Sequence, residues 1–182
     1  GGVHIFRQAA DGMVAVVLFL VDACCLGVKD IASGVIAPAA ARERIQAIRE
    51  KGSTDVSPGE ARGLVERAVE YGPQNGFEPY PDYRKVMPIW GDIVAENIDD
   101  SYVFGRDGKP FFASGPFDDP ARCQHIVATL QAKVGAGNFN YMVGGRDVEL
   151  SMILGQVMQT TNQVFIEQMN STTSAEAEYE AP

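Results

Sequence analysis

The sequence predicts an α+β domain: a mostly antiparallel sheet built from two hairpins plus one strand, with helices packed on it. Three observations carry this. Strand-like runs flank an Asp-Gly turn signal twice, at Asp11-Gly12 and at Asp107-Gly108. Apolar residues recur at helical spacing in the segments around Ala61 and Ile126. The elements do not alternate strand and helix regularly, as a doubly wound parallel sheet would require.

Taken in order, Val3 to Gln8 is expected as a strand and Ala10-Asp11-Gly12 as the hairpin turn, since Asp-Gly tolerates positive φ. Met13 to Val21 returns as a strand that is apolar on both faces, which places it in the centre of a covered sheet. Its uninterrupted apolar run ends at Asp22, too short for the roughly 20 residues a membrane span needs. The stretch from Ala23 to Asp30 is expected as a turn leading into a short helix. Pro38 to Lys51 is expected as a helix, with Pro at its first position and Gly52 at its stop. Ser57-Pro58-Gly59-Glu60 matches a capping box, and Ala61, Leu64, Val65 and Ala68 line one face of the helix it opens.

Phe77 to Tyr83 is a proline-stiffened connector, followed by a short helix from Asp82 to Val86. Tyr102–Gly105 and Pro110–Ser114 are expected to form the second hairpin. Asp118-Asp119-Pro120 starts a helix with Cys123, Ile126, Val127, Leu130 and Val134 inward, stopped by Gly135. Asn138 to Val143 is the last expected strand. Asp147 to Met169 reads as a long amphipathic helix whose opposite side is rich in Gln, Asn and Thr, a surface suited to a protein partner or a homo-oligomer. Residues 1–169 are thus expected as a single domain and 170–182 as a disordered acidic tail.

Composition bounds the function. Of 182 residues, 46% are hydrophobic and 21% charged, ordinary values for a chain that folds around its own core. The net charge is −9, with 15 Lys and Arg against 24 Asp and Glu, so phosphate-driven nucleic-acid binding is not expected. Arg42, Arg44, Arg49 and Lys51 gather on one helix, where a solvated face explains them. Cys24, Cys25 and Cys123 are an odd number with two adjacent, which is no disulfide framework. A reducing, cytoplasmic setting with no membrane association follows as an expectation. The chain opens on Gly1-Gly2 straight into a strand without an initiator Met, which fits either two added leading residues or a piece of a longer protein.

Leu20-Val21-Asp22, Cys25 to Asp30, Pro81-Asp82-Tyr83-Arg84-Lys85, Gly91-Asp92-Ile93, Phe104 to Phe111, Ser114-Gly115-Pro116 and Pro120-Ala121-Arg122 form a recognisable set. Together they resemble an uncharacterised bacterial protein family over residues 3 to 143. The resemblance implies no activity. In that family histidines often stand where this chain has Tyr80 and Asn140, so a metal site built on them does not carry over.

Asp22, Lys29 and Asp30 are the candidate catalytic residues. A carboxylate where a buried strand ends is placed to hold a metal or act as a base. Asp82 and Asp92 are the further candidate metal ligands, with Asp118 or Asp119 as a fourth oxygen donor. Against this stands the ordinary role of such residues, capping turns and helices. Cys24, Cys25, Cys123 and His125 number four zinc-type ligands, but adjacent cysteines do not converge on one tetrahedral ion. Gly135-Ala136-Gly137 and Gly144-Gly145-Arg146 match no phosphate-binding fingerprint. The reading favoured is a non-catalytic accessory or protein-interaction domain without a cofactor. Its partner surfaces are expected on 147–169 and on Phe77–Tyr83 and Phe111–Phe117. The alternative is a metal-dependent hydrolase of a phosphorylated or nucleotide substrate, with a divalent metal on Asp22.

Overall fold

The computed structural model describes residues 1–98, 101–115 and 118–143. Among these, Gly1–Ala113 and His125–Met142 form one compact unit, and Ser114–Gln124 and Val143 fall outside it. The helix expected over 147–169 and the acidic tail lie outside the described residues.

The chain is α+β. Strands β1 (Gly2–Gln8), β2 (Val14–Asp22) and β3 (Gly27–Ile36) form an antiparallel meander in the order β1-β2-β3. The Asp11-Gly12 turn joins β1 to β2 as expected, with Gly12 at φ 83 and Oδ1 of Asp11 accepting from the Met13 amide at 2.9 Å. Because β2 is apolar on both faces and takes a neighbour on each edge, it is the centre of the sheet. Val16, Val17, Phe19 and Val21 are all buried.

The turn into a short helix expected from Ala23 to Asp30 is half right. Ala23 to Leu26 turn, but Gly27 to Ile36 is β3, not a helix. Ile31, Val35 and Ile36 are β-branched and Gly34 weakens a helix, while β2 offers an open edge to pair with. Gly27 is held at φ 71, and a Cβ there would collide with the Ala68 carbonyl and the Gly72 amide.

Helix α1 (Pro38–Glu50) follows, with Gly52 at φ 87 beyond its end. Helix α2 (Pro58–Gln74) is capped by Ser57, whose Oγ accepts from the Glu60 amide at 3.0 Å. Only that half of the capping box forms, because the Glu60 carboxylate accepts from the Tyr102 hydroxyl at 2.9 Å instead. A single-turn helix α3 (Tyr83–Val86) runs into a 3-10 turn, Met87–Trp90.

The two faces of the sheet are covered differently. Val17, Phe19 and Val21 pack with Val65 and Ala68 of α2 and with Tyr83, Ile89 and Trp90. On the other face Val14 and Val16 meet Ala41 of α1, with Phe6 and Ile36 beside them.

The expected second hairpin is corrected. The Asp107-Gly108 turn is present, with both residues at positive φ and a bridge between Arg106 and Lys109. The strand after it, β4 (Phe111–Ala113), pairs parallel with β5 (Asn140–Met142) rather than back on Tyr102–Gly105. Backbone bonds from Gly105 to the Ala23 carbonyl and from Phe111 to that of Cys24 tie this ribbon to the β2–β3 turn. Helix α4 (Pro120–Val134) buries Cys123, Ile126, Val127 and Leu130, and Asp119 Oδ1 caps it through the Arg122 amide at 2.7 Å.

Candidate binding cleft

The structure uses the sequence-predicted site residues locally. Asp22 closes β2 and its Oδ1 accepts from the Cys24 and Cys25 amides at 3.0 and 3.1 Å, the cap of an Asx turn. Lys29 is exposed and sits at a β-bulge: Leu20 pairs with Asp30 and Val21 with Val28, so the register skips it. Asp30 accepts from the Ile31 amide at 2.8 Å. The Tyr80 hydroxyl also hydrogen-bonds to Asp30, and that bond above all holds the phenol above its usual pKa.

Asp82 pairs with Lys85 at 2.5 Å. Asp92 is fully exposed and lies 3.7 Å from Arg7. Among the described residues no three His, Cys, Asp or Glu side chains gather as a metal site. The proposed convergence of Asp22, Asp82 and Asp92 is therefore not present, since each carboxylate serves its own turn or ion pair. Cys24 is exposed, while Cys25 and Cys123 are buried, and all three are free thiols. Burial, then Asp22 and Cys24, pushes the Cys25 thiol up to about 12.

The aromatic-proline segments expected as partner surfaces are mixed, with Phe77, Tyr80 and Phe111 half-buried and Pro81 exposed. Tyr83 and Phe112 are buried, and Phe117 lies outside the described residues.

The site that residue patterns missed is a cleft of about 780 Å³ along the outer edge of β1. Six consecutive strand residues, Gly2 to Arg7, run along it. Ile45 and Ile48 of α1 form one wall, and Ala61 and Leu64 of α2 with Ile89 and Trp90 form the other.

The sheet explains why β1 presents free main chain there. Gly1 and Val21 exchange two hydrogen bonds, at 2.7 and 2.8 Å, and Ala9 donates to Met13 at 2.8 Å. In an antiparallel ladder doubly bonded pairs recur every second residue. With the register Val3↔Phe19, Ile5↔Val17 and Arg7↔Ala15, the odd residues of β1 bond to β2. The N–H and C=O groups of Gly2, His4, Phe6 and Gln8 therefore point away from β2. Among the described residues β1 pairs with β2 alone.

Side chains alternate accordingly. Val3, Ile5 and Arg7 face the α2 wall, where the Arg7 guanidinium reaches the Ile89 carbonyl at 3.0 Å and lies against Gly91. Gly91 holds φ 54, and a Cβ there would strike that guanidinium. His4 and Phe6 face α1; burial first, then Arg44, lowers the His4 pKa. At the rim Arg49 and Asp55 form a two-point ion pair, at 3.2 and 2.5 Å.

Two features of the walls stand out chemically. Trp90 is 1% exposed and its Nε1 donor has no hydrogen-bond partner among the described residues. Ala41, Ile45 and Ile48 make one stripe on α1 at i, i+4 and i+7. Ala41 is buried under the sheet contact, whereas the two isoleucines are only half-buried. That stripe was the available signal, masked in the sequence by the four basic residues around it.

No protein-family model, no curated protein and no solved structure matches the chain. Among the described residues no helix is long and apolar enough to cross a membrane.

Proposed function

We propose that this chain is a protein-interaction domain whose recognition surface is the cleft along β1, with no chemistry of its own at that site. The α1 stripe carries the reading. A helix that binds the sheet through Ala41 continues its apolar face through Ile45 and Ile48 into a cleft, where they lack full cover. A cleft with apolar walls and ion-paired rims suits a protein segment that supplies the missing apolar contact at its centre and leaves the charges wet.

The test is selection of binders from a displayed library of random peptides on the intact chain, with binding mapped by amide and indole NMR shifts. The expected result is a set of peptides that move the signals of β1, Ile45, Ile48 and the Trp90 indole. Ile48→Glu should weaken them by at least about tenfold, because it places a charge in the apolar wall. Peptides that map elsewhere, or none at all, would overturn the reading.

A further inference from the structure

We infer that the cleft takes its partner as an added β-strand: an extended peptide segment, apolar on both of its faces, that pairs with the outer edge of β1. This rests on the interaction reading above and specifies how the partner is held.

The fold leaves main-chain groups of β1 pointing into the cleft. His4 and Phe6 each direct one N–H and one C=O outward, two residues apart, from a strand already held straight by β2. A donor–acceptor pair repeated at that spacing is matched by another extended backbone, which supplies its own pairs at the same interval. Buried main-chain polar groups are costly when unpaired, so an occupant that excludes water from this edge must also satisfy it. An aliphatic ligand would cover the walls but leave those four groups unmet.

The walls fix the side chains. A strand added beside β1 sends alternate residues toward α1 and toward α2. Ile45 and Ile48 wait half-covered on the first side, and Leu64, beside the buried Ala61, on the second. Both sets of the partner's side chains therefore meet apolar surface, and a strand buried on both faces is apolar throughout rather than alternating. Gly2 to Arg7 spans roughly 17–20 Å at about 3.3 Å per residue, so the segment is about six residues long. A second copy of β1 is a poorer occupant, because it would arrive flanked by its own α1 and α2, which would meet the walls already standing there.

The closing experiment has two parts on the intact chain. Amide hydrogen exchange is measured first without any peptide. The His4 and Phe6 amides should exchange far faster than those of Val3 and Ile5, which donate to β2. If all four are equally protected, the edge is already covered by the chain's own residues or by a second copy, and the inference falls.

A peptide selected on the cleft is then remade in two forms, N-methylated at one or the other alternate set of backbone nitrogens. One form should lose at least about tenfold in affinity and the other should bind within about twofold, because only one set faces β1. His4→Pro removes one outward N–H while the bonds of Val3 and Ile5 to β2 remain, as proline on an edge strand allows. It should weaken the unmethylated peptide by about fivefold or more. If both methylated forms and His4→Pro bind like the parent while Ile48→Glu still abolishes binding, strand addition is wrong and the interaction reading stands. If Ile48→Glu also has no effect, both are wrong.

Discussion

Phe19 and Trp90 form a parallel, offset stack, ring centroids 5.6 Å apart and planes 6° from parallel. This contact joins the central strand to the 3-10 turn that forms part of the cleft wall, so the core and the candidate site share a side chain. Trp90→Ala should destabilise the fold by about 3–5 kcal/mol, through lost burial and the cavity left behind. Trp90→Phe keeps a ring on Phe19 and removes the unpartnered Nε1 donor, so its cost should stay near 1 kcal/mol. Denaturant unfolding followed by circular dichroism separates the two. Equal losses would show that the stacked ring matters less than the indole's volume. Since the chain has one Trp, fluorescence in the wild type reports directly on this contact.

Asp22 is expected to matter for folding. It accepts from two successive amides, those of Cys24 and Cys25, and Cys25 is fully buried. Asp22→Ala should cost about 1–2 kcal/mol, and Asp22→Asn, which keeps an acceptor oxygen, about half that. An Asp22→Ala protein with the wild-type denaturation midpoint would return this carboxylate to the list of functional groups.

The strands and helices whose signals are local were legible in the sequence; the cleft was not. The Ser57 cap, the Asp11-Gly12 hairpin and the α4 stripe each depend on residues within a few positions of one another, and each is where the pattern puts it. β3 was misread because Gly27 to Asp30 carries turn chemistry, and its strand character comes from the edge that β2 offers, a partner five or more residues away. The second hairpin failed for the same reason: Phe111 to Ala113 found a parallel partner at Asn140 to Met142, far along the chain. Asp22 was correctly seen at the end of a buried strand, but only the distances to two amides show what it does there. The cleft needs β1, α1 and α2 at once, and no single stretch announces it.

Alkaline pH should loosen the fold, in part through Cys25. Its thiol rises from an ordinary 9.0 to about 12 in the folded chain, chiefly because burial disfavours the thiolate. A group that holds its proton more tightly when folded contributes stability that is intact below pH 9 and is lost as pH rises toward 12. Burial raises Cys123, Tyr71 and Tyr83 in the same direction. Melting curves between pH 8 and about 10.5 should therefore fall, and Cys25→Val should flatten the decline. The same burial predicts that Cys24 alone reacts with an aromatic disulfide reagent in the native chain, and all three cysteines in denaturant. A second thiol reacting natively at the same rate would contradict the buried placement of Cys25 or Cys123.

The two edges of the sheet are treated differently, and that difference is open to test. β3 is the other edge strand, and its register alternates so that Ile31, Ser33 and Val35 direct their main-chain groups outward. The first of these is already engaged: the Ile31 amide donates to the Asp30 carboxylate at 2.8 Å. Tyr80 holds that carboxylate in place by its own hydrogen bond, and the Lys29 bulge bends the strand just before it. A charge and a bulge on an exposed strand are the usual means of preventing edge-to-edge pairing. On β1 no carboxylate accepts from the His4 or Phe6 amide among the described residues, and the 53–56 segment between α1 and α2 lines the same cleft without pairing with the strand. Asp30→Val frees the Ile31 amide, removes the charge and raises β propensity, so the variant should self-associate in a concentration-dependent way. Lys29→Ala keeps the bulge and the Asp30 carboxylate, and should behave as wild type does. Sedimentation velocity across a hundredfold concentration range reads the difference. If Asp30→Val sediments as wild type does at every concentration, the carboxylate guards nothing. The contrast between the two edges then loses its force, and only the walls of the cleft would still distinguish β1.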